Sequence, residues 1–131
     1  MDETNKALVI QNAAGRRVRI ELAPDPDIAI REELGSGRYN QRIAVELKGG
    51  RDVSNIHNRL GEAEKSHLKA RQMGFTQCWT LVGVPTLDSD LAERESPSTS
   101  QFFLIAEIID DSTDEHMRFR ELLTSELGIT S

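Results

Sequence analysis

At 131 residues and a net charge of −6, the chain is long enough for one domain with a single core, and its overall acidity argues at face value against a nucleic-acid partner. An apolar fraction of 37% against 29% charged residues is that of a soluble globular chain. No apolar run nears the roughly 20 residues of a membrane span, the opening MDETNKALVI has no signal-peptide pattern, and the lone Cys78 excludes an internal disulfide, so a cytoplasmic protein without a membrane partner is expected.

In chain order, residues 7–12 (ALVIQN) and 17–22 (RVRIEL) flank AAGR, which reads as a hairpin turning at Gly15. Val18, Ile20 and Leu22 alternate onto one face of a half-buried strand. Residues 28–32 (IAIRE) form a further strand, and LGSGRYNQ turns the chain into 43–48 (IAVELK), which Gly49-Gly50 ends. From Val53 to Met73, Ile56, Leu60, Ala63, His67 and Ala70 recur at spacings of three and four. They predict an amphipathic helix with Ser54 as N-cap and Gly74 as its stop. Residues 77–84 (QCWTLVGV) are a strand closed by Pro85, and TLDSDLAERESPSTS is a polar loop. QFFLIAEII at 101–109 fits helix or strand, and a last helix runs over roughly 114–127. No repeat or linker divides residues 1–131, so the expected architecture is a single α/β layer with a mixed sheet flanked by helices.

Charge is unevenly spread along this layout. Residues 36–71 hold 8 basic and 4 acidic side chains, whereas 72–131 hold 3 basic and 11 acidic. The basic excess coincides with the chemically richest stretch, and a local patch matters more for phosphate contact than the total. A solvated helix face would carry the same charges.

Within IAVELK, alternation puts Glu46 and Lys48 on one face, about 7 Å apart along the strand. The PDPDIAI stretch places Asp27 at the mouth of the preceding strand, on one face with Ala29 and Arg31. With these strands as neighbours, Asp27 approaches Glu46, and two such carboxylates repel unless a cation lies between them. Oxygen-only donors select a hard cation such as Mg2+. Asp27 is preferred to Asp25, which sits one proline earlier in the loop; without Glu46-Leu47-Lys48 both would read as plain turn carboxylates, and the catalytic reading of Glu46 and Lys48 is preferred to a solvent-facing cross-strand pair.

Pro26-Asp27, 18 intervening residues, then Glu46-Leu47-Lys48 resembles the signature of the PD-(D/E)XK nuclease superfamily. The longer block IAVELKGGRDVSNIHNRLGEAEKSHLKARQMGFTQCWTLV, residues 43–82, and the ending STSQFFLIAEIID…FRELLTSELGI closely resemble type II restriction endonucleases of the XcyI family, a likeness covering about residues 17–129. The resemblance implies a restriction-endonuclease-like fold and Mg2+-dependent hydrolysis of double-stranded DNA at a specific palindrome, CCCGGG, by a homodimer matching its two-fold site. It further implies that Asp27, Glu46 and the carbonyl of Leu47 bind the metal while Lys48 orients or helps deprotonate water. Enzymes of that family are longer, which implies a missing N-terminal recognition region or a partner subunit.

Further groups remain open between roles. Asn55, Arg59, Glu62 and Ser66 line up on one flank of the predicted helix. Glu62 is a candidate supporting carboxylate or extra metal ligand and Arg59 a phosphate contact, or both simply pair on the surface, as Glu62 with Lys65. Arg51, just past two glycines that would let DNA approach, is a candidate backbone contact, and Arg38 with Asn40 and Gln41 could read base edges from the turn. Arg16, Arg17 and Arg19 form a small basic cluster, and His67 reads as a core histidine. Competing functions are a junction-resolvase-like nuclease and a non-catalytic DNA-binding or assembly module.

Overall fold

A computed structural model of the chain describes residues 6–22 and 26–129. Six strands lie side by side in chain order: β1 (Lys6–Gln11), β2 (Arg17–Leu22), β3 (Ile28–Gly35), β4 (Arg38–Lys48), β5 (Gln77–Val82) and β6 (Gln101–Leu104). The first four are antiparallel, joined by short turns; β4–β5 and β5–β6 are parallel. Parallel neighbours need a crossover. A one-turn 3-10 segment (Val53–Asn55) and α1 (Ile56–Gln72) provide the first, and α2 (Ser89–Glu95) lies in the second. The chain ends in α3 (Ile105–Ile108) and α4 (Asp114–Leu127).

Side-chain alternation sorts the core into two layers. Val18, Ile30, Ile43, Val45, Trp79, Leu81 and Phe103 point to the face covered by α3 and α4, where Phe119, Leu122 and Leu127 meet them. Phe119 packs edge to face on both Trp79 and Phe103, which are tilted against each other, with centroids 5.0–5.7 Å apart. On the opposite face Ala29, Ala44 and Cys78 are small and meet Ala70 and Phe75, so α1 can lie close to the sheet. Its stripe of Ile56, Leu60, Ala63, His67 and Ala70 is buried as the spacing predicts. The mixed sheet with flanking helices thus matches the expected fold class, and α4 spans the expected residues.

Four local readings are corrected. LGSGRYNQ is not all turn: the turn is confined to Ser36 and Gly37, and Arg38, Asn40 and Gln41 belong to an 11-residue β4. The polar stretch after Pro85 contains α2, capped by Asp88 and anchored by the buried Ala92. QFFLIAEII is both strand and helix, β6 passing directly into α3. Ser54 does not cap α1: Asp52 caps the preceding 3-10 turn by accepting from the Ser54 amide, and Gly74, at φ 99°, is the stop as expected.

The loop after β4 is pinned to the end of β5. The Gly83 amide donates to the Lys48 carbonyl at 2.8 Å, and a Cβ on Gly83 would lie 2.3 Å from the Gly49 carbonyl oxygen. Because that neighbour is backbone, Gly83→Ala is expected to destabilise the fold by about 2 kcal/mol or more. Urea unfolding checks it; an unchanged midpoint would mean that the two loops are not in contact.

Candidate active site

Ile28 pairs with Val45, so one step outward the chain brings Asp27 level with Glu46. Asp27 stands just before β3, and its Oδ2 accepts the Leu47 amide at 2.8 Å. That bond fixes the carboxylate at the edge of β4 and shows which way Leu47 faces. The next carbonyl, of Lys48, points to the β5 side, where Gly83 donates to it. Main-chain groups alternate along an extended strand, so the Leu47 carbonyl turns back to the Asp27 side.

Glu46 lies on the α1 face with Ala44, opposite the fully buried Thr80 of β5, and is only 3% exposed. Lys48 follows on the same face, its Nζ 3.9 Å from a Glu46 carboxylate oxygen and 3.6 Å from one of Glu62. Glu62 and Ser66 occupy successive turns of α1; Ser66 lies close enough to Glu46 to favour its charged form, while Glu62 is 64% exposed at the rim. The flank of α1 that spacing singled out therefore faces the centre, and Glu62 turns to Lys48 rather than Lys65.

The electrostatics follow from this geometry. Burial pushes the Glu46 carboxyl up to about 7, and the charge and hydrogen bond of Asp27 push the same way; Lys48 and Ser66 offset only part of this. Among the described residues no three His, Cys, Asp or Glu side chains gather into a metal cage. The donors on offer are two carboxylates and a main-chain carbonyl, all hard oxygens with room for further ligands, and a carboxylate pair held together against its own repulsion. That set fits a hard divalent cation and does not fit a thiolate- or imidazole-seeking metal.

The remaining residues divide by position. Arg59, on the first turn of α1, reaches the loop after Lys48 and fills the space above Gly50. Gly50 is thus closed off by a side chain of the same protein, not open for DNA as its smallness suggested. Arg51 is exposed, with no ion pair among the described residues. Arg38 is exposed at the far end of β4, about 30 Å from Lys48 by strand length, and is not brought to the centre. Arg16, Arg17 and Arg19 are matched by Glu32, Glu33 and Glu21. Asp25 lies outside the described residues.

His57 meets Glu95 at 3.2 Å, linking α1 to α2. His67 is the core histidine expected: fully buried, its Nε2 2.8 Å from Thr80 Oγ1, and its pKa lowered to about 4, chiefly by burial. Cys78 is likewise buried, with its thiol pKa raised. Ser66 and Thr80 are the neighbours of Glu46 that sequence reasoning left without a role; only the strand register and helix phase reveal them.

The family model described as XcyI restriction endonuclease matches residues 1–130. The chain is 50% identical over 125 residues to the type II restriction enzyme Cfr9I of Citrobacter freundii, an alignment that takes in 95% of this chain and 38% of that protein. It is 53% identical over 119 residues to the type II restriction enzyme XcyI of Xanthomonas campestris pv. cyanopsidis, covering 91% of this chain and 36% of that one. The chain therefore spans little more than a third of the curated relatives it matches. No solved structure matches it.

The displaced Glu46 pKa has a signed consequence for the metal-free protein. The folded state holds this proton more tightly than the unfolded chain, so its contribution is full below pH 4.5 and is lost as pH rises towards 7. His67 runs the opposite way, its contribution lost as pH falls from 6.5 towards 4. In chelator, Glu46→Gln removes only the first effect. Its stability advantage over the parent is expected to grow from near zero at pH 4.5 to about 3 kcal/mol at pH 8. Urea titrations at both pH values test this, and a difference that stays flat would show that the charged carboxylate is already accommodated.

Proposed function

The chain belongs to the XcyI restriction endonuclease family, and from that premise we propose that it is the catalytic core of a Mg2+-dependent, site-specific endonuclease acting on double-stranded DNA. The observation that carries this reading is the buried Glu46 beside Asp27, with Lys48 3.9 Å away.

Asp27, Glu46 and the Leu47 carbonyl would hold the cation. When bound, Mg2+ supplies positive charge at the scissile phosphate and makes water easier to deprotonate. The chain's own residues do the rest. Asp27 keeps its position through the Leu47 amide, and Glu46 through its burial under α1 beside Ser66. Lys48, fixed between Glu46 and Glu62, has its ammonium donors available to orient the attacking water and to meet charge developing on the phosphate. Glu62, open to solvent, keeps that ammonium turned to the centre. Attack in line with the leaving oxygen would leave a 5′-phosphate and a 3′-hydroxyl.

Arg51 and Arg59 flank this centre and suit contacts to neighbouring phosphates. Arg38, a strand's length away, would touch a more distant part of the duplex. A palindromic target, with CCCGGG the site we propose, would be met by a homodimer. Recognition would draw on the part of the relatives that this chain does not span, and the cell compartment would be the cytoplasm, where DNA and Mg2+ are both present. No helix of the described residues is long and apolar enough to cross a membrane.

Incubation with unmodified duplex DNA and Mg2+ tests the reading. Discrete fragments are expected, abolished by Glu46→Ala or chelator and slowed about 10²- to 10³-fold by Lys48→Ala. Mg2+ binding without cleavage, lost in Glu46→Ala, would identify a competent centre lacking its recognition half. Preference for branched over linear duplex would point to the resolvase alternative. Neither cleavage nor metal binding would leave a non-catalytic module.

A further inference from the structure

Arg59 is held in an unusual way for an arginine. A Cβ on Gly50 would fall 2.6 Å from its Nη2, 2.7 Å from Cζ and 3.0 Å from Nε, so the guanidinium lies directly over the glycine. Gly50 itself is anchored, because Gly49 is pressed against Gly83 and the Lys48 carbonyl is bonded to the Gly83 amide. The Nε is buried without a hydrogen-bond partner.

Other partly buried arginines with a fixed place are matched by carboxylates. Arg19 meets Glu21, Arg31 meets Glu21, Arg42 meets Glu126 and Arg118 meets Glu115. Arg59 makes no ion pair among the described residues. The carboxylate that feels its charge, Asp52, is fully exposed and occupied by the amide and hydroxyl of Ser54. Desolvating part of a guanidinium with no anion to offset the cost is unfavourable, so the arrangement is complete only when an anion arrives.

Position says which anion. Gly50 is two residues beyond Lys48, and Arg59 is one turn of α1 before Glu62, whose carboxylate reaches Lys48 at 3.6 Å. The seat therefore shares a rim with the Asp27–Glu46–Lys48 centre. We propose that Gly50 is a built seat for the Arg59 guanidinium, which presents its free N–H donors to a DNA backbone phosphate beside the one that is cut. This rests on the nuclease reading above and adds to it a fixed second phosphate site, together with the residue that positions it. Gly50 acts only through Arg59; the arginine makes the contact.

Two measurements separate the seat from its use. In the DNA-free protein the buried Arg59 Nε–H should give a slowly exchanging proton–nitrogen resonance, assigned by its loss in Arg59→Lys. Gly50→Ala should push the flexible guanidinium off and send that resonance into fast exchange, while the thermal unfolding midpoint is kept. Persistence of the resonance in Gly50→Ala overturns the seat.

Equilibrium binding to duplex DNA across a salt series, in a Glu46→Gln background, tests the phosphate. Arg59→Ala should weaken binding several-fold and reduce the slope of log K against log salt by about 0.9. Gly50→Ala should reproduce that loss, with nothing further lost when the two are combined. An unchanged slope in Arg59→Ala overturns the phosphate assignment alone. A parent that binds no duplex overturns this assignment alone, because Mg2+ binding lost in Glu46→Ala would still mark the nuclease centre.

Discussion

The structure turns on one unfavourable juxtaposition: two carboxylates brought together where water is scarce. Glu46 is buried under α1 at the level of Asp27, and its carboxyl gives up its proton only near pH 7. Nothing about folding asks for this pair, since an alanine or valine on the same face would pack more cheaply. The pair survives because the rest of the domain over-determines it. Asp27 is fastened to the Leu47 amide, Ser66 reaches Glu46 from α1, and the opposite layer of Trp79, Phe103 and Phe119 supplies apolar burial that does not depend on the site. Stability and chemistry are thus assigned to opposite faces of one sheet.

β4 makes that division workable. Among the described residues it is the only strand with an antiparallel neighbour on one side and a parallel one on the other. Its amide and carbonyl groups therefore serve two masters in alternation: Leu47 addresses Asp27, while Lys48 addresses Gly83 and the loop over which Arg59 lies. Near its middle the register slips between Ile30 and Arg31, leaving Arg42 as the extra residue, and its guanidinium reaches the Glu126 carbonyl at the end of α4. The bulge ties the strand to the covering helix without disturbing the phase of the six residues that lead to the centre.

How much of this is legible in the sequence depends on whether periodicity or contact creates the feature. Glu46 and Lys48 could be placed on one face by counting in twos, and α1 phased by counting in threes and fours, both from local spacing; joining Asp27 to them needed only that the short turn make β3 and β4 neighbours. RYNQR carries no apolar alternation, so its membership of β4 was invisible: those residues are strand because Glu32 and Glu33 lie beside Asn40 and Tyr39, not because of their own propensity. α2 was missed because a seven-residue helix with one buried side chain leaves too short a pattern. Gly50 and Gly83 look like ordinary loop glycines until the third dimension shows what would strike their missing Cβ atoms.

The same distinction resolves the conflict between an acidic chain and a DNA substrate. Seven of the 11 acidic residues after Arg71 lie in or between α3 and α4, from Glu107 to Glu126. That pair of helices covers the sheet face opposite α1, so their charge sits behind the apolar layer of Trp79, Phe103 and Leu81. The side that carries Lys48, Arg51 and Arg59 draws instead on the segment with 8 basic and 4 acidic residues. Screening in physiological salt acts over about 8 Å, so an approaching phosphate responds mainly to the near face and little to the far one. Net charge averages over two faces that a duplex never meets together, and it is the partition, set by which helix packs on which side, that decides what the site attracts.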